Sequence, residues 1–284
     1  MATRTKWRKV LYENQGVPDN YVDETFLDEL KKNLYTRKYD YWSVLKESGV
    51  VTQQISSVCL FVVVYISMSE KMLSPELLFL ISSLLTLIGY ITYDIIDDRE
   101  GRSESGRSRV DDLKTVVMFI GFSFGLSPVL VSLTETISTD TIYAMTTITL
   151  LANLLCHDYG ANSAMVSWSV SLNAGLFASV CLASRLHSST YAFSLVTFSL
   201  ELFALWPLLR RKLKQTCPSS HILLTVLSGI GAALMLLHVS AVCAILYILL
   251  HIFITFVCPA WLISLQPFKN NIYGPWDEAV IQDS

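Results

Sequence analysis

The chain has 284 residues, 52% of them hydrophobic and 16% charged, with a formal net charge of −3. The charges are concentrated in a few segments instead of being spread as on a soluble surface, which is the profile of a membrane protein and argues against a water-soluble globule. No stripe of Lys and Arg interleaved with aromatics points to nucleic acid.

The opening "MATRTKWRKV" is basic, but no apolar run follows before Val50, so the pattern predicts no cleavable signal peptide and leaves the first span to act as the insertion signal. Residues 1–49 read as a cytosolic N-terminal segment. Within it, "DETFLDELKKNL" places Phe26, Leu30 and Leu34 at i, i+4 and i+8, with acids first and lysines last, which complements a helix dipole. "YTRKYDYW" then mixes aromatics with Arg37 and Lys38, which suits the headgroup layer. The prediction is a short helix lying on the cytosolic face, or a solvated helix followed by a linker into the membrane.

A bilayer core needs about 20 apolar residues per helix, and eight runs approach that length. They are Val50 to Ser69, Leu73 to Ile96, Thr115 to Leu133, Thr141 to Cys156, Met165 to Ala183, Thr190 to Leu209, His221 to Leu237 and Ser240 to Leu265. Residues 50–265 are therefore expected to form an all-α, polytopic helical membrane protein of about eight transmembrane helices. Cytosolic loops are expected at 97–114, 157–164 and 210–220, with a cytosolic tail over 266–284. On alternate sides of these spans, every Lys and Arg falls on one side except Lys71 and Arg185. The positive-inside tendency then places both termini in the cytosol. If spans four and five were one re-entrant hairpin, the parity would survive with six crossings.

The six cysteines are isolated, with no C-x-x-C pair, so buried apolar roles are expected in place of a disulfide framework or zinc site. Small residues at packing spacing, Ala174, Gly175, Ala178 and Ser179 in span five and Ser228, Gly229, Ala232 and Ala233 in span seven, allow close backbone approach. Pro128 should kink span three.

Three constellations could carry chemistry. In "YDIIDDREGR", Asp94, Asp97 and Asp98 fall at i, i+3 and i+4, a pattern resembling the aspartate-rich magnesium motif of intramembrane prenyltransferases. No second aspartate cluster accompanies it, and the following Arg99, Glu100 and Arg102 also mark a charged exit from the membrane. In "CHDYGANS", Asp158 and Asn162 flank Gly160, which favours a turn bonded by those side chains. No Ser or Cys nucleophile in a recognisable setting accompanies His157, so no catalytic residue is assigned. Deeper in the membrane lie Asn173, His251 and Glu201, the last about 12 Å inside its span at 1.5 Å per residue. Depth alone suggests a contact between Glu201 and His251.

The blocks "WRKVLYENQGVPDNYVDETFLDELKKN", "SPVLVSLTETISTDTIYAM", "DYGANSAMVS", "FASVCLASRL", "FALWPLL" and "NNIYGPWDEA" together resemble the PIG-C family, the C subunit of phosphatidylinositol N-acetylglucosaminyltransferase, from about Trp7 to Ala279. The resemblance implies a complex of the endoplasmic reticulum that transfers N-acetylglucosamine from UDP-N-acetylglucosamine to phosphatidylinositol, the first step of glycosylphosphatidylinositol anchor synthesis. It implies that transfer is carried by another subunit, the A subunit, and that this chain is an essential multispanning partner to which no catalytic motif carries over; no metal or cofactor is expected. Where the family pattern carries glycine this chain has Asp98, and where glutamine is expected it has Glu201. The inositol headgroup is then expected to meet Asp94, Asp97, Arg99, Arg102, Asp158 and Asn162, with the two arginines gripping phosphate. Gly274-Pro275 turns the tail so that Trp276, Asp277 and Glu278 can dock on a partner or fold back as a cap. The alternative is an intramembrane magnesium-dependent lipid or prenyl transferase using Asp94, Asp97 and Asp98.

Overall fold

The computed structural model describes residues 14, 16, 21, 31–33, 38–96, 109–133, 136–160, 167–269, 272 and 273. Eight helical rods account for nearly all of them: α1 (Tyr41–Ser69), α2 (Pro75–Ile96), α3 (Arg109–Leu133), α4 (Thr139–Cys156), α5 (Trp168–Ala183), α6 (Ser189–Thr216), α7 (Pro218–Val239) and α8 (Ala241–Phe268). Five of these, α1, α2, α6, α7 and α8, are long and apolar enough to cross a membrane. Apolar runs become helices because lipid supplies no partner for backbone N–H and C=O groups, so each segment must satisfy its own. Local chemistry sets several starts: Ser138 and Ser167 accept the Thr141 and Val170 N–H groups at the heads of α4 and α5, and Pro75 and Pro218 occupy first-turn positions whose N–H would be idle.

Several boundaries differ from expectation. Helix α1 begins at Tyr41 rather than near Val50, and α6 continues to Thr216, so most of the expected 210–220 loop is helical. Hydropathy ends a span at its first charges, whereas Arg, Lys, Leu and Gln are good helix formers and the backbone bonding runs on through them. Helix α3 likewise begins at Arg109 and passes through Pro128 to Leu133. The expected N-terminal helix is corrected at its end: Lys31–Lys32 is extended and pairs antiparallel with Ile272–Tyr273, so that these backbone groups bond across the sheet. Phe26, Leu30 and Leu34 lie outside the described residues.

The chain separates into two compact units, 42–259 and 1–41 with 260–284. In the first, the core joins Phe61, Val64, Tyr65 and Met68 of α1 to Leu150 of α4, Ala178 and Leu182 of α5, and Leu195 and Phe203 of α6. The Phe61 and Phe203 rings meet edge-to-face at 5.3 Å. The small residues of α5 are inside, as expected: Gly175, Ala178 and Ser179 are buried. All six cysteines are free.

Contacts at the helix ends fix the alternation of direction within this unit. At one end, Lys214 of α6 pairs with Glu47 of α1, the His221 ring of α7 bonds the Lys46 carbonyl, and Asp158 after α4 pairs with Arg211 of α6. At the other, His187 before α6 bonds the carbonyl of Ser69 in α1, and Arg185 after α5 donates to the Ile137 carbonyl before α4.

The expected contact between Glu201 and His251 is not formed. Glu201 opens a π-helical turn, Glu201–Leu205, and its carboxyl bonds Ser82 and Thr86 of α2. His251 lies on α8 against Gly229 of α7, with Tyr247 one turn away. Equal depth does not decide which face of a helix a side chain occupies.

Candidate functional site

The first apolar span contains a polar run, "TQQISS", and the helix winds it inward: Thr52, Gln53, Gln54, Ser56 and Ser57 are all buried. The hydroxyls of Thr52, Ser56 and Ser57 bond carbonyls three or four residues back on α1 itself. The two glutamines are too long for that and reach neighbouring helices. Gln53 donates to Thr225 Oγ1 at 2.7 Å and to the His221 carbonyl at 3.2 Å, both on α7. Gln54 donates to Asn153 Oδ1 of α4 at 3.0 Å. Asn153 in turn donates to the Ser171 carbonyl of α5 at 2.7 Å, and Ser171 Oγ returns a bond to the Asn153 carbonyl at 2.9 Å.

The carbonyl ends of both glutamines turn to one cation. Arg210 of α6 donates from Nη2 to Gln54 Oε1 at 2.7 Å and from Nη1 to Gln53 Oε1 at 3.4 Å. The relay therefore ties α1, α4, α5, α6 and α7 together around a guanidinium. Arg210 is only 6% exposed, and among the described residues its buried Nε has no partner. Its neighbours on the same helix are handled differently: Arg211 holds Asp158 and Lys214 holds Glu47, both nearer the surface. Charge-assisted bonds are worth about 1.5–3 kcal/mol each, while burying a cation costs several kcal/mol. Two neutral amides thus offset the cost of burial without cancelling the charge.

Gly49 makes the α1–α7 approach possible, because a Cβ there would lie 2.8 Å from Thr225 Oγ1 and 3.0 Å from His221 Nε2. At the end of α4, Gly160 has φ +87° and donates its N–H to Asp158 Oδ1 at 2.9 Å, the turn expected from "HDYG". The Arg211 guanidinium sits 6.0 Å from the centre of the Trp168 ring. Ser171 and His157 have the residue types of a nucleophile and base, 3.4 Å apart. Both are buried and the serine hydroxyl is committed to the Asn153 carbonyl, so the pair braces α4 against α5.

Of the residues expected to meet a headgroup, Asp158 is paired with Arg211, and Asp94 lies in the last turn of α2. Asp97, Arg99, Arg102 and Asn162 lie outside the described residues, as do Asp98, Trp276, Asp277 and Glu278. Among the described residues no three His, Cys, Asp or Glu side chains gather as a metal site would require. Asn173, expected as a deep polar group, is exposed on the outer face of α5. The buried set of Gln53, Gln54, Asn153 and Arg210 is not among the expected residues; the signal for its two glutamines is the "TQQISS" stretch, polar but for Ile55, inside an otherwise apolar span.

From residue 7 to residue 277 the chain matches the family described as phosphatidylinositol N-acetylglucosaminyltransferase, GPI2. The chain belongs to that family. The bovine C subunit of phosphatidylinositol N-acetylglucosaminyltransferase is 55% identical across 98% of this chain and 94% of its own length. The mouse and human C subunits are each 54% identical with the same coverage. No solved structure matches. The matched range includes the whole amide relay and Arg210.

In this GPI2 chain the turn after α4 carries a pH response. Burial, reinforced by Arg210 and Arg211, holds the His157 ring well below its ordinary value, at about 4. The Asp158 carboxyl is held below the usual carboxylate range by the Gly160 N–H and then by Arg211. An unfolded chain binds a proton on His157 near pH 6.5, while the folded ring resists until about pH 4, so stability is complete above the first value and declines between the two. The full difference is about 3 kcal/mol. The thermal midpoint of detergent-solubilised protein is therefore expected to fall from about pH 6.5 to about pH 4, and His157→Gln to flatten that slope. Equal slopes in the two proteins would refute it.

Proposed function

We propose that this chain is a non-catalytic membrane subunit of the complex that transfers N-acetylglucosamine from UDP-N-acetylglucosamine to phosphatidylinositol in the endoplasmic reticulum. It assembles the complex with the catalytic A subunit and presents the lipid acceptor at the cytosolic face. The single observation that carries this reading is the likeness, over nearly the entire chain, to proteins named as the C subunit of that transferase. The architecture supports it: the buried polar groups are spent on binding five helices to one another, which is what a framework requires. The distribution of Lys and Arg supports cytosolic termini, since the end of the bundle where Glu47, Asp158 and His221 meet α6 also carries Arg210, Arg211, Lys212 and Lys214.

On this reading Asp94, Asp97, Arg99, Arg102, Asp158 and Asn162 face the inositol phosphate headgroup, and Trp276, Asp277 and Glu278 dock a partner subunit. Purification of the tagged chain in mild detergent should recover a complex able to transfer the sugar to phosphatidylinositol. Neutralising the six headgroup positions together is expected to lower surface display of anchored proteins at least about tenfold. Unchanged display would leave a framework role alone. Trp276→Ala is expected to reduce recovery of partners, and undiminished recovery would make the tail a cap.

A further inference from the structure

On helix α6, Arg210, Arg211 and Lys214 divide in an unexpected way. Arg211 and Lys214, with side chains 51% and 32% exposed, each hold a carboxylate. Among the described residues, Arg210, nearly sealed, holds only the carbonyl oxygens of Gln53 and Gln54, and its Nε has no hydrogen-bond partner. A purely structural cation at that depth would be expected to carry an acid, because leaving a buried charge without its counter-charge is the costly arrangement. Among the described residues, Arg210 acts on His157, Tyr159 and His221; the Asp158 carboxylate also acts on the His157 ring and the Glu47 carboxylate on the His221 ring, but these two acids are paired with Arg211 and Lys214. Both glutamines are fixed from behind, Gln53 by Thr225 and His221 and Gln54 by Asn153. Their oxygens are thus held toward the guanidinium as neutral stand-ins for an anion.

We infer that Arg210 is an anion anchor whose missing counter-charge is a phosphodiester, that of an anionic phospholipid, gripped by the guanidinium edge now lent to the amides. Guanidinium binds phosphate through two parallel N–H bonds, and an amide carbonyl is the kind of weaker acceptor such a group displaces. The inference rests on the acceptor-presenting role proposed above and adds to it a residue at the cytosolic end of α6, inside the bundle. An inositol phosphate free in water offers the same chemistry, and the test separates the two sources.

The tagged complex, purified in detergent, is labelled with a photoactivatable phosphatidylinositol in phosphatidylcholine micelles, and label on this chain is measured. Competitors are unlabelled phosphatidylinositol, water-soluble glycerophosphoinositol and inorganic phosphate. Strong competition by the intact lipid alone identifies a lipid source, and competition by the soluble compounds at equal strength identifies a free phosphate. Arg210→Gln is expected to cut labelling at least about tenfold. Gln54→Glu supplies an internal carboxylate at the same position and is expected to do likewise; because it also removes the donor to Asn153 Oδ1, its folding is checked separately by the thermal midpoint. Full labelling in either folded variant overturns the anchor yet leaves the acceptor-presenting role standing. A wild-type chain that takes up no more label than a phosphatidylcholine probe gives overturns both. Should both variants fail to fold, the labelled residues of the wild type decide: label on α1 or α6 beside Gln53, Gln54 or Arg210 supports the anchor, and label confined elsewhere overturns it.

Discussion

Gln54→Leu is expected to destabilise the chain by about 3 kcal/mol, a fall of roughly 5–10 °C in the thermal midpoint in detergent. The leucine fills a similar volume, so packing is nearly conserved and the loss isolates the hydrogen bonds. It removes the 2.7 Å acceptor of Arg210 Nη2 and the donor that Asn153 Oδ1 receives at 3.0 Å. The first leaves a buried cation with one remaining bond, the 3.4 Å contact to Gln53, beside an Nε that already lacks a partner. The second leaves a buried carbonyl unsatisfied on α4. Asn173→Leu is the matched control: that side chain is exposed on α5, so its loss should change stability by no more than about 0.5 kcal/mol. Equal midpoints for the two variants would show that the relay does not hold the helices.

The second large effect is steric. A Cβ at Gly175 would lie 2.9 Å and 3.0 Å from ring carbons of Phe203 and 3.2 Å from Asn153 Nδ2. Neither neighbour has room to give, because Phe203 is buried against Phe61 and Asn153 is bonded to Ser171 and Gln54. Gly175→Ala should therefore cost about 1–3 kcal/mol through overpacking, and Gly175→Leu more, since it must drive α5 away from the π-helical turn of α6. An alanine at Gly231 of α7, where a Cβ meets nothing within 4 Å, should be neutral or stabilising by up to about 1 kcal/mol through helix propensity. Thermal midpoints of the three variants in one detergent test the ordering.

Much of the helical layout is legible in the sequence. Apolar runs located the eight helices of the described residues, five of which are long and apolar enough to cross a membrane, and "HDYG" announced a turn that the positive φ of Gly160 bears out. The small residues of α5 pointed correctly to a close contact. What failed did so for identifiable reasons. Hydropathy placed the end of α6 at its first arginine although helix propensity continued to Thr216. Acidic and basic residues in helix-favouring order did not keep Lys31 and Lys32 helical, because their backbone groups pair with Ile272 and Tyr273. Among polar residues in the spans, Asn173 lies deep by sequence yet faces outward, whereas Gln53, Gln54 and Asn153 are buried.

The order of apolar and charged residues was by itself enough to make this chain a set of apolar helices, because lipid forbids an unsatisfied backbone and each span must close its own hydrogen bonds. The inner faces were decided only by the assembled bundle. The partners in the relay stand 99 residues apart for Gln54 and Asn153, 156 for Gln54 and Arg210, and 172 for Gln53 and Thr225. No local period records those distances. Helix rotation is set by packing against neighbours, and rotation alone determines whether an amide meets lipid, water or a buried arginine.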